Sequence, residues 1–198
     1  NGRKRLFKLL NHLQPDVVSY ENSERGIKIL EMAEADRKNP KYSLELQSLA
    51  QYNGARVSDI KFIAETQGYE YYAARDYCRK RQIPVVFVDP SIDEYIESSE
   101  RYQEEIKRLV KLTKEEILDR VKETYSSSIT IPESETVAFE KRDRETAKIL
   151  RTLEGKVAHI AGLGHCYAGN YNNLFKQLAD LSPQRMRLIA ADKLDRLR

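Results

Sequence analysis

Three side chains able to move protons or hold a ligand stand just after short apolar runs. Glu21 follows Val17-Val18-Ser19-Tyr20, Asp89 follows Val85-Val86-Phe87-Val88, and His165 follows Val157-Ala158-His159-Ile160-Ala161 within Gly162-Leu163-Gly164-His165. Carboxylates with an imidazole are the groups of general acid–base catalysis near neutral pH, and their oxygen and nitrogen donors also suit a divalent metal ion. Taken singly, each carboxylate is better explained as the cap of the next helix. The histidine adds weight, because its turn carries two glycines, and a residue without Cβ lets backbone or ligand approach closely.

Other reactive residues are set aside on local grounds. His159 alternates with Val157 and Ala161 inside its strand, which predicts a core or second-layer histidine with a hydrogen-bond partner; His12 flanks the leucine face of the first helix. Cys166 directly follows His165, and side chains of adjacent residues diverge, so a nucleophile–base pair is not expected. Glu70, among Tyr69, Tyr71 and Tyr72, opens a helix, where a carboxylate favours the helix dipole whatever its chemistry.

The elements that must position these residues are legible from periodicity. Leu6, Leu9, Leu10 and Leu13 predict a first helix, stopped by Gln14-Pro15-Asp16; Ile29, Met32 and Ala33 mark a second. A helical region spans roughly 44–82, with breaks predicted at Tyr52-Asn53-Gly54 and at Gln67-Gly68. Charged helices follow from about 92 to 125, a loop holds Ser126-Ser127-Ser128 and Pro132, and a further helix covers about 135–153. After His165 a helix is expected from Asn170 to Leu181, then a fourth strand from Met186 to Ala191, ending at Asp192. Short strands separated by long helical stretches predict an α/β fold, a mostly parallel sheet of about four or more short strands covered by helices. Ligands of such sheets bind outside the carboxyl ends of the strands, where Glu21, Asp89, His165 and Asp192 would lie.

Composition narrows the function classes. The 198 residues are expected to form one α/β domain, and 34 basic against 31 acidic residues, mixed along the chain, disfavour nucleic acid as a partner. The basic stretch Arg3-Lys4-Arg5 with Lys8 reads as a solvated helix face. Cys78 and Cys166 lie far apart with no C-x-x-C spacing, which fits a reducing, cytoplasmic setting. No apolar run approaches the roughly 20 residues needed to span a bilayer.

The ordered segments resemble the TraB and PrgY family, part of a superfamily with the Tiki proteases, the erythromycin esterase EreA and the haem-associated protein ChaN. Gln14-Pro-Asp-Val-Val-Ser-Tyr-Glu21 resembles the family's "kPDvVavE", with Arg25 near its following arginine. Gly68-Tyr-Glu70 with Ala73-Ala74 resembles "G-x-E…aA", Ile83-Pro-Val-Val-Phe-Val-Asp89 is similar to "gapVvliD", Arg142-Asp143 to "eRD", and Ala161-Gly-Leu-Gly-His165 to "vGaGH". The resemblance spans about residues 14–165. It implies an EreA/ChaN-like core with Glu21, Glu70 and His165 as catalytic groups and ligands of a divalent metal, and with Arg25, Asp89, Arg142 and Asp143 in support; such mixed oxygen and nitrogen ligands would suit zinc, manganese or cobalt.

One departure is expected to matter. The family has an earlier G-x-x-H after a first strand, and here Gly2 is followed three residues later by Arg5, so that strand and its histidine would lie upstream of residue 1. No segment of these 198 residues resembles the membrane-spanning tail of many TraB relatives. The leading expectation is a metal-dependent, peptidase-like hydrolase; the alternative is a non-catalytic regulatory module holding a signalling peptide or small anion in the same cleft, with the helix expected at Asn170 offering amides to the anion.

Overall fold

A computed structural model describes residues 2–89, 92–98 and 100–197. The chain divides into two compact units, one of residues 1–24, 68–92 and 129–198 and one of residues 25–67 and 93–128. Among the described residues no helix is long and apolar enough to cross a membrane.

The first unit carries the sheet. Helix α1 (Gly2–Leu13) leads to β1 (Val17–Tyr20), whose β-branched residues take the central position of a three-stranded sheet. The next helices are α2 (Glu24–Asp36), α3 (Tyr42–Asn53), α4 (Val57–Thr66) and α5 (Tyr69–Arg81). The breaks fall where glycine was expected to supply them: Gly54 and Gly68 adopt φ of 63° and 71°, which side-chain-bearing residues rarely take. Strand β2 (Val85–Phe87) follows, then α6 (Ile92–Ser98), α7 (Glu100–Leu109), α8 (Lys114–Ser126) and α9 (Glu133–Leu150). Strand β3 (Val157–Ile160) leads into two short helices, α10 (Leu163–Tyr167) and α11 (Leu174–Gln177).

All three strands are parallel, in the order β2-β1-β3, with Val18 opposite Val85 and Ala158, and Ser19 opposite Val86 and His159. The long helical crossovers between strands make this arrangement possible. Leu6, Leu10, Val18, Ala73, Ala74, Tyr77 and Cys78 form a core of α1 and α5 against one face of the sheet. Ala73 and Ala74, fully buried, let α5 approach the strands closely. Val88, Ala147, Leu150 and Leu174 form the core on the opposite face, joined by Val86 and Val157.

The expected fourth strand is not present: residues 182–187 have no regular structure and Leu188–Leu197 form a 3-10 stretch. Leu188 packs on the α1 and α5 core, Ala191 is buried, and the Arg5 guanidinium pairs with Asp192 at 2.5 Å. A run as short as Met186 to Ala191 fits either period, and docking on α1 satisfies it without a sheet edge. Asp192 is therefore an α1 partner, not a strand-end residue. The helix expected from Asn170 begins instead at Leu174, capped by the Asn173 side chain, and is followed by a 3-10 turn, Ala179–Leu181.

The second unit is helical. Leu46, Ala50 and Ile60 make its core with Tyr42, Ala55, Ala64 and Val110, and Thr113 with Glu116 forms a capping box at the start of α8.

One contact ties α9 to the end of β2. The buried Thr146 hydroxyl donates to the Val88 carbonyl at 2.8 Å. Thr146→Val keeps the shape and removes the donor, and is expected to cost about 1 to 2 kcal/mol in urea unfolding, with Thr146→Ser costing less. Equal stability of Thr146→Val and wild type would show that the contact does not hold the helix.

Candidate functional site

Arg142, Asp143, Thr146, Ala147 and Leu150 form the buried stripe of α9, at the spacing of one helical face. Leu150 and Ala147 lie over the apolar core, so Arg142 and Asp143, two turns nearer the helix start, arrive at the carboxyl end of the sheet. They meet Glu21 from the end of β1, Asp89 from beyond β2 and His165 from α10. The strand order reverses beside β1, and the ends of β1 and β3 are where a parallel sheet opens a crevice.

The contacts are close and saturated. Arg142 donates through Nη2 to Glu21 Oε1 at 2.9 Å and to Asp89 Oδ2 at 2.5 Å, and through Nε to the same Asp89 oxygen at 3.1 Å. His165 Nε2 faces Glu21 Oε1 at 2.7 Å, and its Nδ1 hydrogen-bonds Asp143 Oδ1. The second oxygens of Glu21 and Asp143 each take a backbone amide: Gly162 N–H donates to Glu21 Oε2 and Leu174 N–H to Asp143 Oδ2, both at 2.8 Å. Asp89 and Asp143 are each 1 % exposed, and Arg142 and His165 each 5 %. The cluster reaches solvent at Glu21 and Gly162.

The imidazole is held by shape as well as charge. Phe139, one turn before Arg142 on α9, stacks on the His165 ring at 5.1 Å and 23°, and the Arg142 guanidinium lies 5.4 Å from the Phe139 ring. A Cβ at Gly164 would come within 3.0 Å of the Ile131 side chain, so this glycine lets α10 approach the segment that leads into α9. At Gly162 a Cβ would meet only ordinary contacts; its use to the site is its amide.

Three carboxylates here face one guanidinium, so the proton on His165 is the second positive charge that their burial demands. Burial alone would raise Glu21 and lower His165. The mutual attraction outweighs it: Glu21 is held well below the usual carboxylate range by His165, Arg142 and the Gly162 amide. His165 is held well above the usual imidazole range by Glu21 and Asp143. At neutral pH the resting pair is carboxylate and imidazolium.

Five of the seven sequence-derived site residues are thus brought together: Glu21, Asp89, Arg142, Asp143 and His165. Glu70 is not in the group. It opens α5, hydrogen-bonds Tyr69 and its own backbone, and is raised by burial; it acts on the Tyr20 phenol, which burial also raises. Arg25 belongs to the second unit, where it pairs with Glu97 at 2.5 Å. His159 has the expected partner on one side, Ser19 Oγ at 3.0 Å from Nδ1. Phe139 and Thr146 are site residues that sequence reasoning did not single out. Their spacing from Arg142 and Asp143 along a helix was the available signal.

The donor set bears on a metal ion. Glu21 and His165 offer oxygen and nitrogen, and Asp143 backs the imidazole as carboxylates back metal-bound histidines. Yet Nε2 and Oε1 are turned on each other, Arg142 holds the same oxygen, and Glu70 is elsewhere. Among the described residues no three of His, Cys, Asp and Glu are arranged to hold an ion.

The charged pair has a pH signature. Stabilisation from His165 is complete below its ordinary value of 6.5 and is lost as pH rises through its raised folded value. Stabilisation from Glu21 is complete above its ordinary 4.5 and is lost as pH falls through its lowered folded value. His159, pushed down to about 4, stays neutral when the unfolded ring would protonate, so it costs stability as pH falls below 6.5. The melting temperature is expected to peak near pH 6.5, and between 6.5 and the ordinary thiol value of 9.0 the fall belongs to His165. His165→Gln should flatten that alkaline limb; a wild-type melting temperature that is level across it would refute the charged pair. Neither models of known families nor curated proteins match this sequence, and no solved structure matches the fold.

Proposed function

We propose that the strand-end cluster is the centre of a hydrolase cleaving an acyl bond in a peptide-like or small-molecule substrate, with Glu21 and His165 as its proton-handling pair. The observation that supports this reading is the line Asp143–His165–Glu21, in which one imidazole is held between two carboxylates at the mouth of the sheet. Asp143 orients the ring and favours its charged form, as a carboxylate behind a catalytic histidine does. Glu21, ionised and reaching solvent beside Gly162, takes a proton from the attacking water. His165 gives its Nε2 proton to the leaving oxygen or nitrogen as the acyl bond breaks. Glu21 then carries a proton and His165 lacks one; at 2.7 Å the proton passes directly between them and restores the resting pair.

Membership of the TraB and PrgY family, with its EreA/ChaN-like sheet of four or more strands and a cytoplasmic setting, belongs to the same proposal. It draws support from the convergence of Glu21, Asp89, Arg142, Asp143 and His165, which the resemblance named. A zinc, manganese or cobalt ion at Glu21 and His165 has no part in the steps above. The regulatory alternative, capture of a signalling peptide or small anion, finds less support: the Leu174 amide is given to Asp143, and three carboxylates outnumber the two cations.

The test is hydrolysis by the purified chain of p-nitrophenyl esters and fluorogenic peptides, with and without chelator. Turnover is expected with chelator present, and Glu21→Gln and His165→Gln are expected to lower it on the order of a hundredfold or more while the fold persists. A wild type that hydrolyses none of them would sink the reading. Activity lost to chelator and restored by zinc, with metal found in the purified protein, would replace it with the metal-dependent one.

A further inference from the structure

His159 is a half-buried reactive group, its Nε2 atom out of reach of solvent, that the steps above leave unused. On β3, Val157 packs into the core on the α9 side of the sheet, whereas Ala158 and Ile160 pack toward α1 and α5. Alternation along a strand therefore puts His159 on the α9 face, two residues beyond Val157 and three before Gly162. It lies between the apolar core and the charged cluster. Its cross-strand neighbour is Ser19, two residues before Glu21.

The hydrogen bonds of this pair settle its tautomer. Ser19 is fully buried, and among the described residues its hydroxyl meets His159 Nδ1 at 3.0 Å. The Nε2 atom is buried and has no hydrogen-bond partner among the described residues. Were Nδ1 the protonated nitrogen, it would donate to Ser19 and leave both the hydroxyl hydrogen and the Nε2 lone pair unsatisfied. With Ser19 donating to Nδ1, only one group lacks a partner, the Nε2 N–H. Burial pushes this ring down to about 4, with Glu21 pulling it up and His165 pushing it down, so it is neutral at pH 7. The result is a neutral, fixed N–H donor without an acceptor among the described residues, within electrostatic reach of the two residues that handle the proton. A buried donor left unpaired carries its full desolvation cost, which a ligand oxygen would remove.

We propose that His159 is the substrate-facing donor of this site, presenting Nε2–H to the carbonyl oxygen of the scissile acyl group. This rests on the hydrolase reading for its substrate. As water adds to the carbonyl carbon, the carbonyl π electrons move onto that oxygen, and the N–H stabilises the charge without transferring its own proton. A neutral imidazole suits the role next to an imidazolium, because a second cation would be repelled. It restricts the substrates to those with an acyl oxygen, namely esters, amides and peptides.

Two variants separate this role from packing. His159→Asn keeps an acceptor where Nδ1 meets Ser19 and deletes Nε2; His159→Gln carries an amide N–H to the Nε2 position. With p-nitrophenyl acetate, His159→Asn is expected to lower kcat on the order of a hundredfold with KM little changed, and His159→Gln to retain most of the activity. Unaltered kcat in His159→Asn, or equal losses in both variants with lowered melting temperatures, would overturn the proposal. Nitrogen-15 NMR of the wild type at pH 7 supplies a readout independent of turnover. One proton on Nε2, whose resonance shifts when acetamide is added as a carbonyl probe, is expected. A proton on Nδ1, or an Nε2–H that acetamide leaves unmoved, would overturn the donor role. If the wild type hydrolyses no ester or peptide, the hydrolase reading fails by itself and the NMR result alone decides His159.

Discussion

The Arg142 guanidinium is the fixed charge around which the first unit is arranged. It joins the end of β1, through Glu21, to the end of β2, through Asp89, and it does so from α9, which covers the sheet. Arg142 and Asp89 are buried, and a buried charge that loses its counter-ion costs several kcal/mol, about 3 to 5 in comparable pairs. The geometry of α9 on the sheet is therefore set at its charged end as firmly as at its apolar end, where Ala147 and Leu150 pack with Val88 and Leu174.

One guanidinium is too little for three carboxylates, and that shortage defines His165. Its ring lies between Glu21 and Asp143 with Phe139 stacked on its face, so its orientation and protonation are both imposed by neighbours. A histidine in water titrates near neutral pH and shares its proton freely; this one keeps it. The arrangement converts a residue of the short helix α10 into a fixed proton donor facing an ionised carboxylate. It also explains how the backbone takes part, since the amides of Gly162 and Leu174 satisfy the carboxylate oxygens that the cations leave over.

The two faces of the sheet divide the work. Toward α1 and α5 the contacts are apolar, with alanines admitting the helix. Toward α9 the apolar packing gives way along β3 from Val157 to His159 and then to the charged cluster at Glu21 and Gly162. His159 sits at that transition with one nitrogen held by Ser19. Parallel strands made this gradient possible, because all three present their carboxyl ends to the same edge.

Much of this was legible in the sequence. The β-branched runs determined three strands, the long helical stretches between them required parallel pairing, and glycines at 54 and 68 marked the helix breaks. The residues following the strands, Glu21, Asp89 and His165, followed from the same reading, because strand ends open onto the binding edge of a parallel sheet. Local pattern carries such information since strand and helix periods are properties of neighbouring residues. What it does not carry is which groups meet across the chain. Only the tertiary structure decided that Met186 to Ala191 would dock on α1, that Glu70 would face the Tyr20 side and stay out of the cluster, and that Arg142 would occupy the carboxylates. Those outcomes turn on charge balance and packing between segments far apart in the chain, such as Glu21 and Arg142, 121 residues apart. No window of sequence contains both.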